Sequence, residues 1–314
     1  MKSLPKILHL IDSFDYVKNN CFQHQLASSL LQFPNVVSVQ SMTIAQLLGS
    51  DVLFDGVVCC LKLRSLYRNA NVLGARLCNT PVVVYDQDPW AAYMDGTECK
   101  HVHEYIKSLV NVRSFAVTTK VWADELADRG LPSMFVKMWV LPQYCNPRPE
   151  FVNRTVDAGF VGRMHPYRQQ FFDRLKLAGV DVNVLQDVSL PYEGYLNALS
   201  FMKVCVRGDD FAFRANDKEM NLRDCLWIKD IEAAARGCYV IRPAGKDAET
   251  YLGGIETVLM YDSIERVPVL LEQIRDMDAK DRQDAIDRTV TYIAATDKWI
   301  NTARTLLQCA AGVA

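Results

Sequence analysis

A chain of 314 residues is about twice the usual domain size, so two domains of roughly 150 residues, each able to bury its own core, are expected. Half of the residues are hydrophobic and 23% are charged, which argues against long disordered regions. The net charge of -2 gives no overall attraction to nucleic acid or anionic membranes, so a polyanion would have to be met by a local patch.

The 10 cysteines include no C-x-x-C pair and lie mostly in apolar runs, the pattern of reduced core residues in a cytoplasmic protein. The N-terminal apolar run is short, interrupted by His9 and closed by Asp12, unlike a secretory signal. No stretch reaches the ~18 apolar residues of a membrane span, and a cytoplasmic location is expected.

Residues 6–12 form the first expected strand and 20–32 the first amphipathic helix. The loop between them lacks the Gly-x-Gly-x-x-Gly fingerprint, which argues against a nicotinamide dinucleotide enzyme. Strands are expected again at 36–42, 56–61, 81–86, 114–119 and 134–141, with helices at 63–77, 98–110 and 121–129 between most of them. Strands alternating with helices predict parallel β-α-β units in a doubly wound sheet, with ligands at the carboxyl ends of the strands.

Two features follow strand ends in this half. Lys62, Arg64, Arg68 and Arg76, with Asn69 and Asn71, come after strand 56–61 and form either a solvated helix face or a patch that meets phosphates. Tyr85-Asp86-Gln87-Asp88-Pro89-Trp90 closes strand 81–86, and its two carboxylates fit a metal pair, a base that activates an acceptor, or turn chemistry. The histidines at 9, 24, 101, 103 and 165 make no metal-ligand set.

Three prolines among polar residues at 142–155 read as a linker, which places the domains at 1–148 and 149–314. The second series is strand 157–162, helix 167–178, strand 180–185, helix 192–200, strand 203–207, helix 221–237, strand 238–242, helix 247–252 and strand 256–260. From about 264 the pattern is helical, with Trp299, Ile300, Leu306 and Leu307 as packing residues.

Chemistry concentrates at two points of this half. Ala158-Gly159-Phe160-Val161-Gly162-Arg163 ends a strand in a small-residue turn, and Arg168 stands at the start of the next helix. Backbone N–H groups, a helix N-terminus and two arginines can meet a diphosphate, or the arginines are a surface pair at a helix start. In 221–237, Asn221 is the N-cap, Asp224 lies in the first turn and Gly237 supplies the left-handed end. Ile228, Ile231 and Ala235 make a core stripe, whereas Lys229, Glu232 and Arg236 share another side, as solvated ion pairs or as a binding site.

Lys229-x-x-Glu232-Ala233-x-Ala235-x-Gly237 before a hydrophobic strand, after Gly162-Arg163 and Arg168, resembles the donor site of GT-B glycosyltransferases. The wording is similar to that of bacterial spore-maturation-type enzymes and of phage DNA β-glucosyltransferases. The resemblance covers the order of elements along the whole chain, with sharp motifs over 157–242. It implies an α/β fold of two Rossmann-like doubly wound domains facing a cleft, with a C-terminal helical segment that crosses back to the first. It further implies that Gly162, Arg163 and Arg168 bind a diphosphate, that Glu232 holds the ribose, and that Lys229 supports the phosphates or orients Glu232. Many retaining members carry two glutamates eight positions apart, and here Asp224 stands in the first place. In the phage enzymes an aspartate at the matching strand end deprotonates the acceptor, which puts Asp88, ahead of Asp86, in that role.

The expected activity is transfer of a sugar, a hexose first, from a nucleotide diphosphate sugar to a hydroxyl acceptor, with a UDP-sugar as the first donor. No metal or other cofactor is required in this reading, and Lys62, Arg64 and Arg68 lie toward the acceptor. A DNA-modifying transferase acting on a hydroxylated base is one alternative. A non-catalytic nucleotide-binding Rossmann-like protein is an alternative of another class.

Overall fold

The computed structural model describes residues 3–19, 21–93, 96–162, 164, 166–186, 190–208, 228–296 and 298–312. The chain divides into two compact units, one holding the residues up to Met138 with the helix from Lys298, the other beginning at Trp139. Among the described residues no helix is long and apolar enough to cross a membrane.

In the first unit, β1 (Lys6–Ile11), β2 (Ser38–Thr43), β3 (Gly56–Cys60), β4 (Val82–Asp86), β5 (Val112–Val117) and β6 (Ser133–Phe135) form a parallel sheet. Their order is β2-β1-β3-β4-β5-β6. The runs GVVCC and VVVYD of β3 and β4 are buried at every position, as central strands covered on both faces must be. Because β2 and β3 lie on opposite sides of β1, the chain reverses direction across the sheet, and a switch point opens between β1 and β3.

The connecting helices are α1 (Phe14–Asn19), α2 (Cys21–Leu30), α3 (Ile44–Leu48), α4 (Leu63–Arg68), α5 (Ala70–Leu77), α6 (Val102–Leu109) and α7 (Lys120–Asp128). The helix expected at 63–77 is two helices. Asn69 leaves helical geometry at φ −107°, ψ 8°, and its side-chain amide donates to the Ser65 carbonyl at 2.8 Å. The helix expected from residue 98 starts at Val102, because His101 adopts a left-handed φ of 57°. The C-terminal helix (Lys298–Ala311) belongs to this unit, burying Trp299, Leu306 and Leu307 while packing against α2 and β3. Gly56 permits the approach, since a Cβ there would overlap the Ala310 carbonyl.

The second unit holds β7 (Val156–Gly162), β8 (Asn183–Gln186), β9 (Met202–Val206), β10 (Tyr239–Pro243) and β11 (Val258–Tyr261), all parallel. The order β11-β10-β9-β7-β8 places its switch point between β7 and β9. Helices α8 (Pro166–Leu177), α9 (Tyr192–Ser200), α10 (Ile228–Ala235), α11 (Lys246–Leu252), α12 (Arg266–Asp276) and α13 (Ala279–Ala295) complete it. Phe160, Phe171, Val206, Ile241, Leu271 and Ile286 share its core.

The strand expected over 134–141 stops at Phe135. Trp139, Val140 and Leu141 are nevertheless buried, and Trp139 Nε1 donates to the Ile293 carbonyl of α13 at 2.9 Å. An apolar run of strand composition is here a covering segment, its burial supplied by a helix rather than by a sheet.

Candidate functional site

The helix expected at 221–237 is described from Ile228 on, so Asn221 and Asp224 lie outside the described residues, as does Arg163. Its end is as the sequence requires: Gly237 has φ 79°, its N–H donates to the Ala234 carbonyl, and the Cys238 N–H donates to the Ala233 carbonyl. That pair of bonds is the Schellman closure. Arg154 seals the same end, donating to the carbonyls of Arg236 and Pro147 at 2.8 Å each and of Met202 at 2.9 Å. A Cβ on Gly237 would stand 2.5 Å from Arg154 Nη2.

The side of α10 that carries Lys229, Glu232 and Arg236 is not a solvated face. Glu232 is 0% exposed and accepts the Tyr192 hydroxyl at 2.7 Å. Burial pushes its carboxyl up from 4.5 to about 7, opposed by the Tyr192 hydroxyl, Lys229, Tyr195 and Arg207. Arg236 turns elsewhere, donating to Ser200 Oγ at 2.8 Å and to the Tyr144 carbonyl at 3.4 Å.

The other charges gather around the two strands that flank the switch point. Lys229 Nζ stands 3.7 Å from where a Cβ of Gly162 would lie, at the end of β7. Arg168, buried at the start of α8, holds its guanidinium 4.8 Å from the centre of the Phe160 ring, and Arg207 lies 5.6 Å from the same ring. Arg207 is fixed by Asp230 at 2.9 Å, and Asp230 by Arg242 at 2.7 Å, all three nearly devoid of solvent. Charges desolvated to that degree hold one geometry because leaving any one of them unpaired is costly. Gly162, Arg168, Lys229 and Glu232 are thus brought together.

The sequence motifs did not include Arg207, Asp230 or Tyr192. Arg207 had a signal that could have found it: it follows β9 directly, as Arg163 follows β7. Asp230 and Tyr192 had none, since each acts through a partner distant in the chain.

In the first unit a recess of about 330 Å³ lies at the carboxyl ends of β3 and β4, lined among others by Tyr16, Gln23, Lys62, Arg64, Asp86 and Asp88. Asp12, just beyond β1, accepts the Lys62 N–H at 2.8 Å, and Lys62 Nζ sits 3.7 Å above the centre of the Tyr16 ring. Asp86 is engaged through both oxygens: Oδ1 accepts the Asp88 N–H at 2.9 Å, and Oδ2 lies 2.9 Å from Nε2 of the wholly buried His103. His103 Nδ1 meets the Tyr93 hydroxyl at 3.2 Å, and that hydroxyl donates to Glu104 at 3.2 Å. Asp88 is half-buried and accepts Trp90 Nε1 at 3.2 Å. Asp86 therefore holds the turn that presents Asp88.

Of the cations after β3, Lys62 and Arg64 line the recess, and Arg64 pairs with Glu98. Arg68 also reaches Glu98, at 3.0 Å. Arg76 donates to the carbonyls of Ser50 and Val52, closing the loop that leads into β3.

Two parallel α/β sheets of six and five strands with a long C-terminal helix are the GT-B fold. Structural similarity extends to Anabaena HepE in complex with UDP, with a TM-score of 0.60 and 10% identity over 96% of this chain and 98% of that one. OtsA in its apo structure aligns with a TM-score of 0.54 and 11% identity, over 90% of this chain and 76% of that one. The UDP-forming α,α-trehalose-phosphate synthase of Burkholderia vietnamiensis aligns with a TM-score of 0.54 and 11% identity, over 95% and 82%. The sequence itself matches no family model and no curated protein.

Proposed function

We propose that the chain is a glycosyltransferase that moves a sugar, a hexose first, from a UDP-sugar to a hydroxyl acceptor. The observation that carries this reading is the buried, tyrosine-bound Glu232 beside Lys229, Arg207 and Arg168 at the switch point of the second sheet. A carboxylate at that place is built to accept ribose hydroxyls. The cations answer the charge that develops on a departing diphosphate, with Arg163, next in sequence after Gly162, as a further donor. Supplying that charge from side chains makes an essential metal unnecessary. The UDP in the HepE complex supports uridine as the base.

Asp88 takes the acceptor's proton in this scheme, and Asp86 fixes its turn. Lys62 and Arg64 then line the acceptor's recess, with Arg68 beside them. Glu98 takes up charge from Arg64 and Arg68, which favours a small hydroxyl compound over DNA as acceptor. The motifs support kinship with spore-maturation-type enzymes and phage DNA β-glucosyltransferases about equally.

A thermal-shift panel of UDP-, GDP-, ADP- and CMP-sugars tests the donor. Ligand at a hundred times its dissociation constant adds about 2.7 kcal/mol of stability, and a shift confined to UDP-sugars is expected. No shift with any member would overturn the reading.

A further inference from the structure

We propose that Tyr192 is a positioning residue of the donor site that holds Glu232 in one orientation and favours its ionised form, and that nucleotide capture is coupled to loss of a proton from Glu232. The inference rests on the donor reading of Glu232 given above.

The tyrosine is held from several directions. It is the first residue of α9, directly after Pro191, and it is buried. Its ring meets the Tyr144 ring edge-on at 5.1 Å and 80°, and stacks with Tyr195 at 6.3 Å and 23°. A hydroxyl fixed in this way reaches Glu232 at 2.7 Å without losing rotamer freedom on binding.

Glu232 is surrounded by groups that divide into two kinds. Lys229 on its own helix and Arg207 beyond β9 act through charge, whereas Tyr192 and Tyr195 of α9 act through hydroxyls. Arg236, one turn further along α10, is committed to Ser200 and Tyr144. A wholly buried carboxyl resists ionisation, and a hydrogen bond donated to it favours the charged form. Ribose hydroxyls also donate to that form, so a nucleotide and the Tyr192 hydroxyl pull Glu232 the same way. A carboxylate has lone pairs for both.

The test compares the wild-type protein with Tyr192→Phe, which keeps the ring and removes the hydroxyl. UDP dissociation constants are measured calorimetrically at pH 7 and pH 9, and the mutant-to-wild-type ratio at each pH cancels the nucleotide's own titration. Loss of a hydrogen bond to an ionised group raises the Glu232 midpoint by about one unit or more. Affinity should then fall about fivefold at pH 7 and less than twofold at pH 9. Equal losses at both pH values would mean that Tyr192 only packs, and the inference would be wrong. A ligand-free arm guards against a folding defect and against the wrong nucleotide. In protein carrying carboxyl-¹³C-glutamate, the Glu232 resonance, assigned with Glu232→Gln, is titrated in the wild type and in Tyr192→Phe. An unmoved midpoint overturns the inference whatever UDP does. A raised midpoint in a protein that binds no UDP at any pH overturns the donor reading, and donor capture with it, while leaving the tyrosine's hold on Glu232 standing.

Discussion

Glu232→Gln should stabilise the ligand-free protein in a pH-dependent way. Burial raises the Glu232 carboxyl from 4.5 to about 7, so the folded state binds the proton more tightly than the unfolded chain does. The stability that this provides is complete below the unfolded value and is lost as pH rises through the folded one. Ionising the buried group costs about 3 kcal/mol, most of it falling between pH 5 and pH 8. Glutamine keeps the shape, still accepts the Tyr192 hydroxyl and does not titrate. The difference in unfolding free energy between Glu232→Gln and wild type should therefore move in favour of the variant by about 2–3 kcal/mol from pH 5 to pH 8. That corresponds to roughly 5–10 °C in the melting temperature of a unit this size. Urea unfolding followed by circular dichroism at the two pH values reads it directly. A difference that stays flat from pH 5 to pH 8 would show that Glu232 ionises as an ordinary carboxylate, and the argument from burial would fail. The same substitution should weaken UDP-sugar binding at pH 8, where the carboxylate is needed.

Three further outcomes are expected. Asp88→Asn should lower UDP-sugar turnover at least a hundred-fold, the low end for a general base, with little change in melting temperature, whereas Asp86→Asn should cost 1–3 kcal/mol of stability through its bonds to His103 and the Asp88 N–H; full activity of Asp88→Asn would remove it as the base. Gly237→Ala should cost at least ~1–2 kcal/mol in denaturant unfolding, because φ 79° disfavours a Cβ and Arg154 must yield; an unchanged midpoint would contradict the packing at that helix end. Turnover should survive metal stripping and excess EDTA, since Arg168, Arg207 and Lys229 supply the positive charge; a complete loss restored by manganese would return Asp86 and Asp88 to the donor side as a metal pair.

The sequence by itself determined the local features of this protein. Runs such as GVVCC and VVVYD read as buried strands, and their alternation with amphipathic helices predicts parallel sheets. The stripe of Ile228, Ile231 and Ala235, the left-handed Gly237 and the positive φ of Gly162 follow from periodicity and from what glycine alone permits. Tertiary structure decided the rest. Strand order is fixed by how sheets pack, so the switch points that gather Arg207 with Lys229, and Lys62 with Asp88, are not written in any one stretch. Glu232 looks like a solvated helix residue until Tyr192, 40 positions away, covers it. The sequence puts Asp88 ahead of Asp86 but does not show what occupies Asp86, which His103, 17 positions on, claims. Backbone propensity and spacing act over a few residues, whereas desolvation and hydrogen-bond partnership depend on which distant segments the fold brings alongside, and these decide whether a charged side chain is solvated or buried.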